Sequence, residues 1–315
     1  MKQKVYSIAL RSRNRDFFWN DDNYSFFSFK PKSRRYWIAD PFLFDFENKT
    51  YMFYEAFDLV KRKGLIGFSI VRDNSVTEPE FVIEEDFHLA FPYVFTVGGD
   101  IYLLPDSSSI SKIIIYKALS FPYIWQKAEL LCDSFSCDTV IVFSDKGMHS
   151  LVTSEMFDHP IPNQLTSCYV RNKQYQIEYL SGEFMVDADS AVVVGEGDYG
   201  IRNAGACFFE GDLQIRPGQD CRNKMYGCGL VFFRILSVYP YREEIIRTLS
   251  KEELNAHLER NFDAPLLGAH TYNISNKYEV VDFSYMDNIP LYISIHRFFF
   301  RAIRKTIRII RRVFK

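Results

Sequence analysis

The chain has 315 residues, of which 47% are hydrophobic, 17% aromatic and 25% charged, with a formal net charge of −2. This is a globular composition, long enough for one large all-β domain or two smaller ones, and it excludes a disordered chain. The charge is uneven: eight Lys/Arg and no acid lie in 296–315, which leaves 30 of the 38 basic side chains against all 40 acidic ones in the body. An acidic body with a basic tail argues against a general nucleic-acid binder.

In chain order, the N-terminus has neither a long apolar core nor a small-residue cleavage site, so no leader is expected. Val5 to Leu10 reads as a short strand, and 11–32 as a polar and aromatic segment packed on the outside, ahead of the first repeated unit. Ala39-Asp40-Pro41-Phe42-Leu43-Phe44 then opens a strand–turn–strand unit. Phe42 to Phe46 is apolar and aromatic, Asp45, Glu47, Asn48 and Lys49 make a polar turn, and Tyr51 to Tyr54 is apolar again. Pro41 has no N–H and biases Asp40 towards extended backbone, so a carboxylate is expected at the start of this strand. Gly64 to Val71 and Phe81 to Glu85 supply a third and a fourth strand.

The unit recurs. Phe91 to Phe95, Gly98-Gly99-Asp100 and Ile101 to Asp106 form a second copy, with Ile113 to Ala118 and Trp125 to Leu131 behind it. Asp138 to Phe143, Ser144 to Gly147 and Met148 to Thr153 form a third, continued by Gln174 to Leu180. Asn203 to Phe209, Glu210-Gly211-Asp212 and Leu213 to Arg216 form a fourth, continued by Leu230 to Val238. From Pro41 to Pro92, Thr139 and Ala204 the offsets are 51, 47 and 65 residues. Strand-rich repeats of about 40–50 residues indicate a propeller, with an insertion between the third and fourth units. Ser250 followed by Glu253 is a capping box for a short helix. Thr271 to Val281 reads as a late hairpin, and pairing it with Val5 onward would close the last blade from both chain ends.

The six cysteines (Cys132, Cys137, Cys168, Cys207, Cys221, Cys228) form no CxxC pair and read as free thiols of a reducing compartment. No run of about 18 apolar residues predicts a spanning helix. His88, His149 and His159 lack metal-ligand spacing, and Gly195 to Gly200 falls short of a dinucleotide loop, so no metal or cofactor is expected.

Strand starts on the inner ring of a propeller face the central channel. Asp40, Asp138 and Arg202-Asn203 occupy that position in three units, and His88 lies just upstream of it in the second. Two convergent carboxylates can divide acid and base roles in glycosyl chemistry, or each can simply cap a turn. Arg202 and Arg216 suit a phosphate or a nucleotide-sugar diphosphate, or ion pairs closing the channel. Glu55 reads as an edge salt bridge or a contact to a sugar hydroxyl, and His270 as a structural histidine or a proton relay.

Several motifs resemble the propeller domain that precedes the plant glucosamine inositolphosphorylceramide transferases. They are Ala39 to Phe44, His88 to Phe95, Tyr102 to Ser107, Arg202 to Gly205, Arg216 to Cys221, Tyr226-Gly227 and His270 to Asn273. The resemblance runs from about residue 35 to 285 and is specific in its order of motifs. More distantly the chain is similar to five-bladed propeller glycoside hydrolases of the arabinanase, xylosidase and invertase type.

The resemblance implies a five-bladed β-propeller and a glycan ligand. Asp40 falls on the general base of the hydrolases, and Asp138 on the carboxylate that orients and tunes their acid. Their acid, a Glu at the start of the fourth unit, is replaced here by Arg202-Asn203, with Glu196 nearby in a Gly-flanked loop. Substrate contacts are expected from His88, Asp106, Arg202, Asn203, Arg216, Gln219 and His270.

In the tail, Phe299, Ile303, Ile307, Ile310 and Phe314 fall on one helical face, and Arg297, Arg301, Arg304, Arg308 and Arg311 on another. Such a helix reads as lying on an anionic membrane surface. The expectation is a propeller over 1–295 and a basic amphipathic helix over 296–315, peripheral on the cytoplasmic face of a membrane. Its function would be glycosyl transfer in surface polysaccharide or glycolipid synthesis, on a carbohydrate, nucleotide-sugar or phosphosugar substrate. The alternatives are a hydrolase-like enzyme and a non-catalytic glycan-binding module that assists a partner glycosyltransferase.

Overall fold

The computed structural model describes residues 2–313 except 14–15, 22–24, 74, 133–134, 145–146, 157–167, 223–224 and 260–264. Five antiparallel sheets form the blades of a β-propeller. Blade 1 uses Tyr36–Phe46, Lys49–Asp58 and Lys63–Arg72, with Ser75–Val76 and Glu80–Ile83 both on the last of these. Blade 2 uses Ala90–Val97, Asp100–Asp106, Lys112–Ser120 and Ile124–Cys132. Blade 3 uses Ser136–Ser144, Gly147–Met156, Val170–Leu180 and Glu183–Gly197. In blade 4 a broken inner strand, Tyr199–Asn203 and Phe208–Glu210, pairs with Leu213–Asp220, followed by Gly229–Val238 and Tyr241–Leu249. Blade 5 joins the chain ends: Lys2–Ser12 pairs along its whole length with Tyr278–Asn288, between Phe27–Phe29 outside and Tyr272–Ile274 inside.

The repeat register read from the sequence recurs as a backbone device. In blades 1, 2 and 3 the inner ladder breaks between Ala39 and Phe42, Ala90 and Tyr93, and Cys137 and Val140. The first extra residue at each break is Asp40, Phe91 or Asp138, with φ of 50°, 47° and 50°. This corrects two expectations. Asp40 is left-handed rather than extended despite Pro41, and it sits within its strand rather than at its start. A bulge twists its strand locally and re-aims one side chain, which turns these carboxylates inward. A left-handed non-glycine residue costs about 1–2 kcal/mol, which the hydrogen bonds that Asp40 and Asp138 make to other blades offset.

Polar contacts stitch the inner strands to one another. Asp40 Oδ2 accepts from the Phe91 N–H at 3.1 Å, between blades 1 and 2. Asn203 Nδ2 donates to the Asp138 carbonyl at 2.8 Å, between blades 4 and 3. Asn273 of blade 5 donates to the Pro41 carbonyl at 2.7 Å and accepts from the Ala206 N–H at 2.9 Å. Apolar clusters fill the spaces between blades, among them Phe42, Phe91, Tyr93 and Phe95 with Val140 and Val142.

Helix α1, Lys251–Glu259, starts where the capping box predicts it, with the Glu253 N–H donating to Ser250 Oγ at 3.2 Å. It buries Leu254 and Leu258 against Phe18, Phe26 and Tyr272. Helix α2, Leu291–Val313, begins five residues before the predicted start. Ile293 packs with Val5, Leu59, Val60 and Ile289. Arg297 Nε donates to the Leu59 carbonyl at 2.9 Å, so this residue docks the helix on the propeller, whereas Arg301 and Lys305 are exposed. Leu291, Ile295, Phe298, Phe299 and Ile303 are exposed, which lengthens the expected apolar stripe towards the propeller. Phe314 lies outside the described residues, as do the side chains of Arg304, Ile307, Arg308, Ile310 and Arg311. No described helix is long and apolar enough to cross a membrane.

Candidate active site

Five buried carboxyl groups among the described residues, Asp40, Glu55, Asp106, Asp138 and Asp282, lie close enough to influence one another's charge. His270, Arg202 and the His88 ring are set among them. They form two poles.

At the first pole His270 lies between two carboxylates. Its Nε2 is 3.1 Å from Asp40 Oδ1 and its Nδ1 is 2.9 Å from Asp282 Oδ2. Asp282 also accepts the N–H groups of His270 and Thr271 at 2.9 and 3.1 Å, and that of Asp40 at 3.3 Å. Asp40 Oδ1 accepts from Thr271 Oγ1 at 2.8 Å. Burial alone would lower the imidazole's pKa, but Asp282 and Asp40 raise it to about 10, so it is an imidazolium at neutral pH. Burial pushes the Asp40 carboxyl up, and the His270, Thr271 and Phe91 bonds outweigh that and hold it below the usual range. Asp40 is thus a fixed carboxylate.

At the second pole Arg202 Nε donates to Asp138 Oδ2, which also accepts from Gln219 Nε2 at 3.2 Å. Burial raises the Asp138 carboxyl to about 6 against the pull of Arg202. Asp106 is raised as well, chiefly by burial, and its Oδ1 accepts from the Ser108 N–H at 2.7 Å.

For Glu55 the structure removes the edge salt bridge, one of the two readings the sequence allowed. The residue pairs across blade 1 with Ala39, beside Asp40, and is buried rather than bridged at an edge. Among the described residues its Oε1 makes no hydrogen bond and is sealed from solvent. His88 Nε2 lies 3.5 Å from Oε1. His88 Nδ1 accepts from the Gly64 N–H at 2.8 Å, which places the neutral ring's proton on Nε2, facing Glu55. Burial lowers the His88 pKa, keeping the ring neutral. Burial, then the Asp40 charge, holds Glu55 well above the usual carboxylate range. Gly64 is required there: a Cβ on it would overlap the Leu89 carbonyl and lie 2.5 Å from Glu55 Oε1.

Of the other expected contacts, Arg216 does not reach the ligand side. Its five N–H donors go to Glu243 (two, at 2.8 and 2.6 Å), Gly200 O at 3.0 Å, Ile201 O at 3.4 Å and Asn203 Oδ1 at 3.1 Å. A guanidinium has no sixth donor for a phosphate. Asn203 spends both amide hydrogens on the Asp138 and Val152 carbonyls, and Gln219 bonds Asp138 and the Asn203 carbonyl. These three residues support the second pole from behind. Glu196 lies on the outermost strand of blade 3, paired with Arg171 at 3.0 Å, and takes no part in the channel. Asp282 was missed, although a lone Asp within Val280-Val281-Asp282-Phe283 was a legible sign of a buried, partnered carboxylate.

Rings surround the first pole. Tyr6 and Tyr226 lie 5.0 and 5.3 Å from His270, Trp37 lies 5.2 Å from Tyr6, and Arg202 sits 4.7 Å over Tyr226. Trp37 Nε1 is buried and makes no hydrogen bond to a described residue. Aromatic faces beside carboxylates suit a sugar, which offers C–H faces and hydroxyl edges. Two trios, Asp40–His270–Asp282 and Asp106–Cys137–Asp138, bring three ligand atoms within 4.8 Å of one another. In the first both imidazole nitrogens already face carboxylates, and in the second Arg202 neutralises Asp138 and burial keeps the Cys137 thiol protonated. Neither arrangement calls for a metal.

Residues 29–261 match the family model described as glucosamine inositolphosphorylceramide transferase 1, N-terminal. The chain is 30% identical over 213 residues to glucosamine inositolphosphorylceramide transferase 1 of Arabidopsis thaliana, covering 65% of this chain and 26% of that protein. It is 29% identical over 215 residues to the Oryza sativa subsp. indica protein of the same name, covering 65% and 27%. The chain therefore spans about a quarter of the length of the curated relatives it matches. Among solved structures, the catalytic domain of Coprinopsis cinerea GH62 α-L-arabinofuranosidase is similar at a TM-score of 0.52 and 11% identity, covering 81% of this chain and 93% of that one. The GH43_1 enzyme of Xanthomonas citri complexed with xylotriose is similar at 0.53 and 10%, covering 82% and 88%. At such identity the likeness concerns the fold.

Proposed function

The chain belongs to the family of the N-terminal domain of glucosamine inositolphosphorylceramide transferase 1, and from that premise we propose that it is a glycan-active enzyme transferring a glycosyl group in glycolipid or surface polysaccharide synthesis. The observation that carries this is the polarised channel. A carboxylate held ionised by His270, Asp40, stands near Tyr6, Trp37 and Tyr226, and burial raises a second carboxyl, Asp138, to about 6. Asp40 takes the proton of an acceptor hydroxyl, and Asp138 with Arg202 orients the sugar. The exposed apolar stripe of α2 lies on an anionic membrane at its cytoplasmic face, which would bring a lipid-borne glycan to the channel.

The test is turnover of purified protein against nucleotide sugars, glycosyl phosphates and glycosides, with Asp40→Asn alongside. Loss of about 10²–10⁴-fold in the variant is expected of a general base. A second reading, a glycan-binding module without turnover, is favoured by the aromatic residues alone, since rings bind sugars without chemistry. Glycan binding with no turnover, unchanged in Asp40→Asn, would establish it.

A further inference from the structure

We propose that Glu55 is the proton donor of this site and that the donor substrate is accordingly an O-glycoside, whose departing oxygen needs a proton, and not a nucleoside-diphosphate sugar. The proposal rests on the enzymatic reading and names its acid and its donor class. The first support is geometric. Oε1 of the buried Glu55 has no hydrogen-bonding partner among the described residues, and the residue lies across the strand pair from the bulge that carries Asp40. An isolated carboxyl in such a place is costly unless it carries a proton or meets a ligand.

The second support is that the surroundings are built to hold it so. Gly64 leaves room for the side chain, and the His88 ring 3.5 Å from Oε1 is kept neutral by burial and so adds no positive charge that would hold a carboxylate. Among the described residues no lysine or arginine forms an ion pair with Glu55, whereas Asp138 and Asp58 each have an arginine. Two carboxyl groups of one site driven in opposite directions, Asp40 towards the carboxylate and Glu55 towards the acid, are the mark of divided base and acid roles.

The donor class follows from charge. The five buried carboxyls lie close to one another. A diphosphate would meet this carboxyl cluster with Arg216 saturated and Arg202 already paired to Asp138. It also leaves as a stable anion without a proton, so a protonated Glu55 would serve it no purpose. A glycosidic oxygen leaves as an alkoxide unless protonated. In the step, the bond from the sugar's anomeric carbon to the leaving oxygen breaks, its electron pair goes to that oxygen, and the oxygen takes the Glu55 proton. The acceptor hydroxyl's oxygen bonds to the same carbon and gives its proton to Asp40. Solvent then returns one proton from Asp40 to Glu55, and nothing is oxidised or reduced.

Two measurements test this on the full chain. Infrared difference spectra of wild type against Glu55→Gln at pH 7 should show a protonated-carboxyl carbonyl band present in wild type and lost in the variant. Its absence overturns the assignment of the proton, whatever the substrate. Turnover of aryl glycosides with graded leaving groups should fall by about 10²–10⁴-fold in Glu55→Gln for the poorest leaving groups, by far less for dinitrophenolate, and partly recover in Glu55→Asp. An equal loss across the series overturns Glu55 as the acid. Turnover confined to nucleotide sugars overturns the donor class. Wild-type protein that turns over no glycosyl donor of any kind overturns the enzymatic reading and the donor class with it, while the infrared band still decides whether Glu55 holds a proton.

Discussion

Replacing His270 by Gln keeps a hydrogen-bonding side chain but removes the charge between Asp40 and Asp282. The magnitude follows from two routes. Removing one partner of a buried ion pair costs about 3–5 kcal/mol. Independently, an imidazole whose pKa rises from 6.5 to about 10 on folding stabilises the fold by about 5 kcal/mol at about 1.4 kcal/mol per pH unit. Because the folded value is the higher one, this stability is fully present below pH 6.5 and is lost as pH rises towards 10. The difference in unfolding free energy between wild type and His270→Gln should therefore be largest at pH 6 and smaller by about 3 kcal/mol at pH 9. Urea or guanidinium titrations at the two pH values measure it. A difference that stays constant, or that grows with pH, would show that His270 folds as a neutral ring and would refute the polarised-channel argument.

Gly64→Ala should destabilise by about 1–3 kcal/mol through overpacking against the Leu89 carbonyl and Glu55. An unchanged midpoint of thermal unfolding would mean that Glu55 has room the structure denies it. Arg216→Ala should cost about 3–5 kcal/mol because it strands Glu243 and three carbonyl or amide acceptors, and Arg216→Lys, with three donors, should recover only part of that in the same titration; a fold as stable as wild type would return Arg216 to the ligand side. Replacing the exposed Ile295 and Phe298 of α2 by Glu should lower co-sedimentation with phosphatidylglycerol vesicles by at least about 10-fold, since each buried apolar side chain is worth about 1.5–3 kcal/mol, and should leave the unfolding midpoint in place. Unchanged partitioning would remove the membrane from the picture.

The propeller was legible because its signals are local. Alternating aromatic strands, turn residues and the spacing of Pro41, Pro92 and Thr139 mark each inner strand, and the structure puts a bulge at each of the three. The closing of blade 5 by Val5 onward was legible from leftover strand at both ends. The conformation of Asp40 was not, because a local rule for residues before proline met a tertiary demand: its N–H goes to Asp282, 242 positions away. The same distance hid the site's division of labour. Arg216 looked like a phosphate ligand because an arginine among strands is ambiguous until Glu243 is seen beside it. Glu196 looked like a stand-in acid because it is near in sequence, and the structure puts it on the outer strand of its blade.

By itself the sequence determined the repeat, the blade order, the polar inner positions and the amphipathic stripe of the last helix, since each is set by residues within a few positions of one another. Only the tertiary structure decided which polar groups are buried together and in which direction each one's protonation is pushed. Charge state depends on burial and on neighbours drawn from several blades: His270 lies between Asp40 and Asp282, while Glu55 meets no lysine or arginine among the described residues. No window of sequence contains those pairs, and the free energy that separates a carboxylate from a carboxylic acid lies in them.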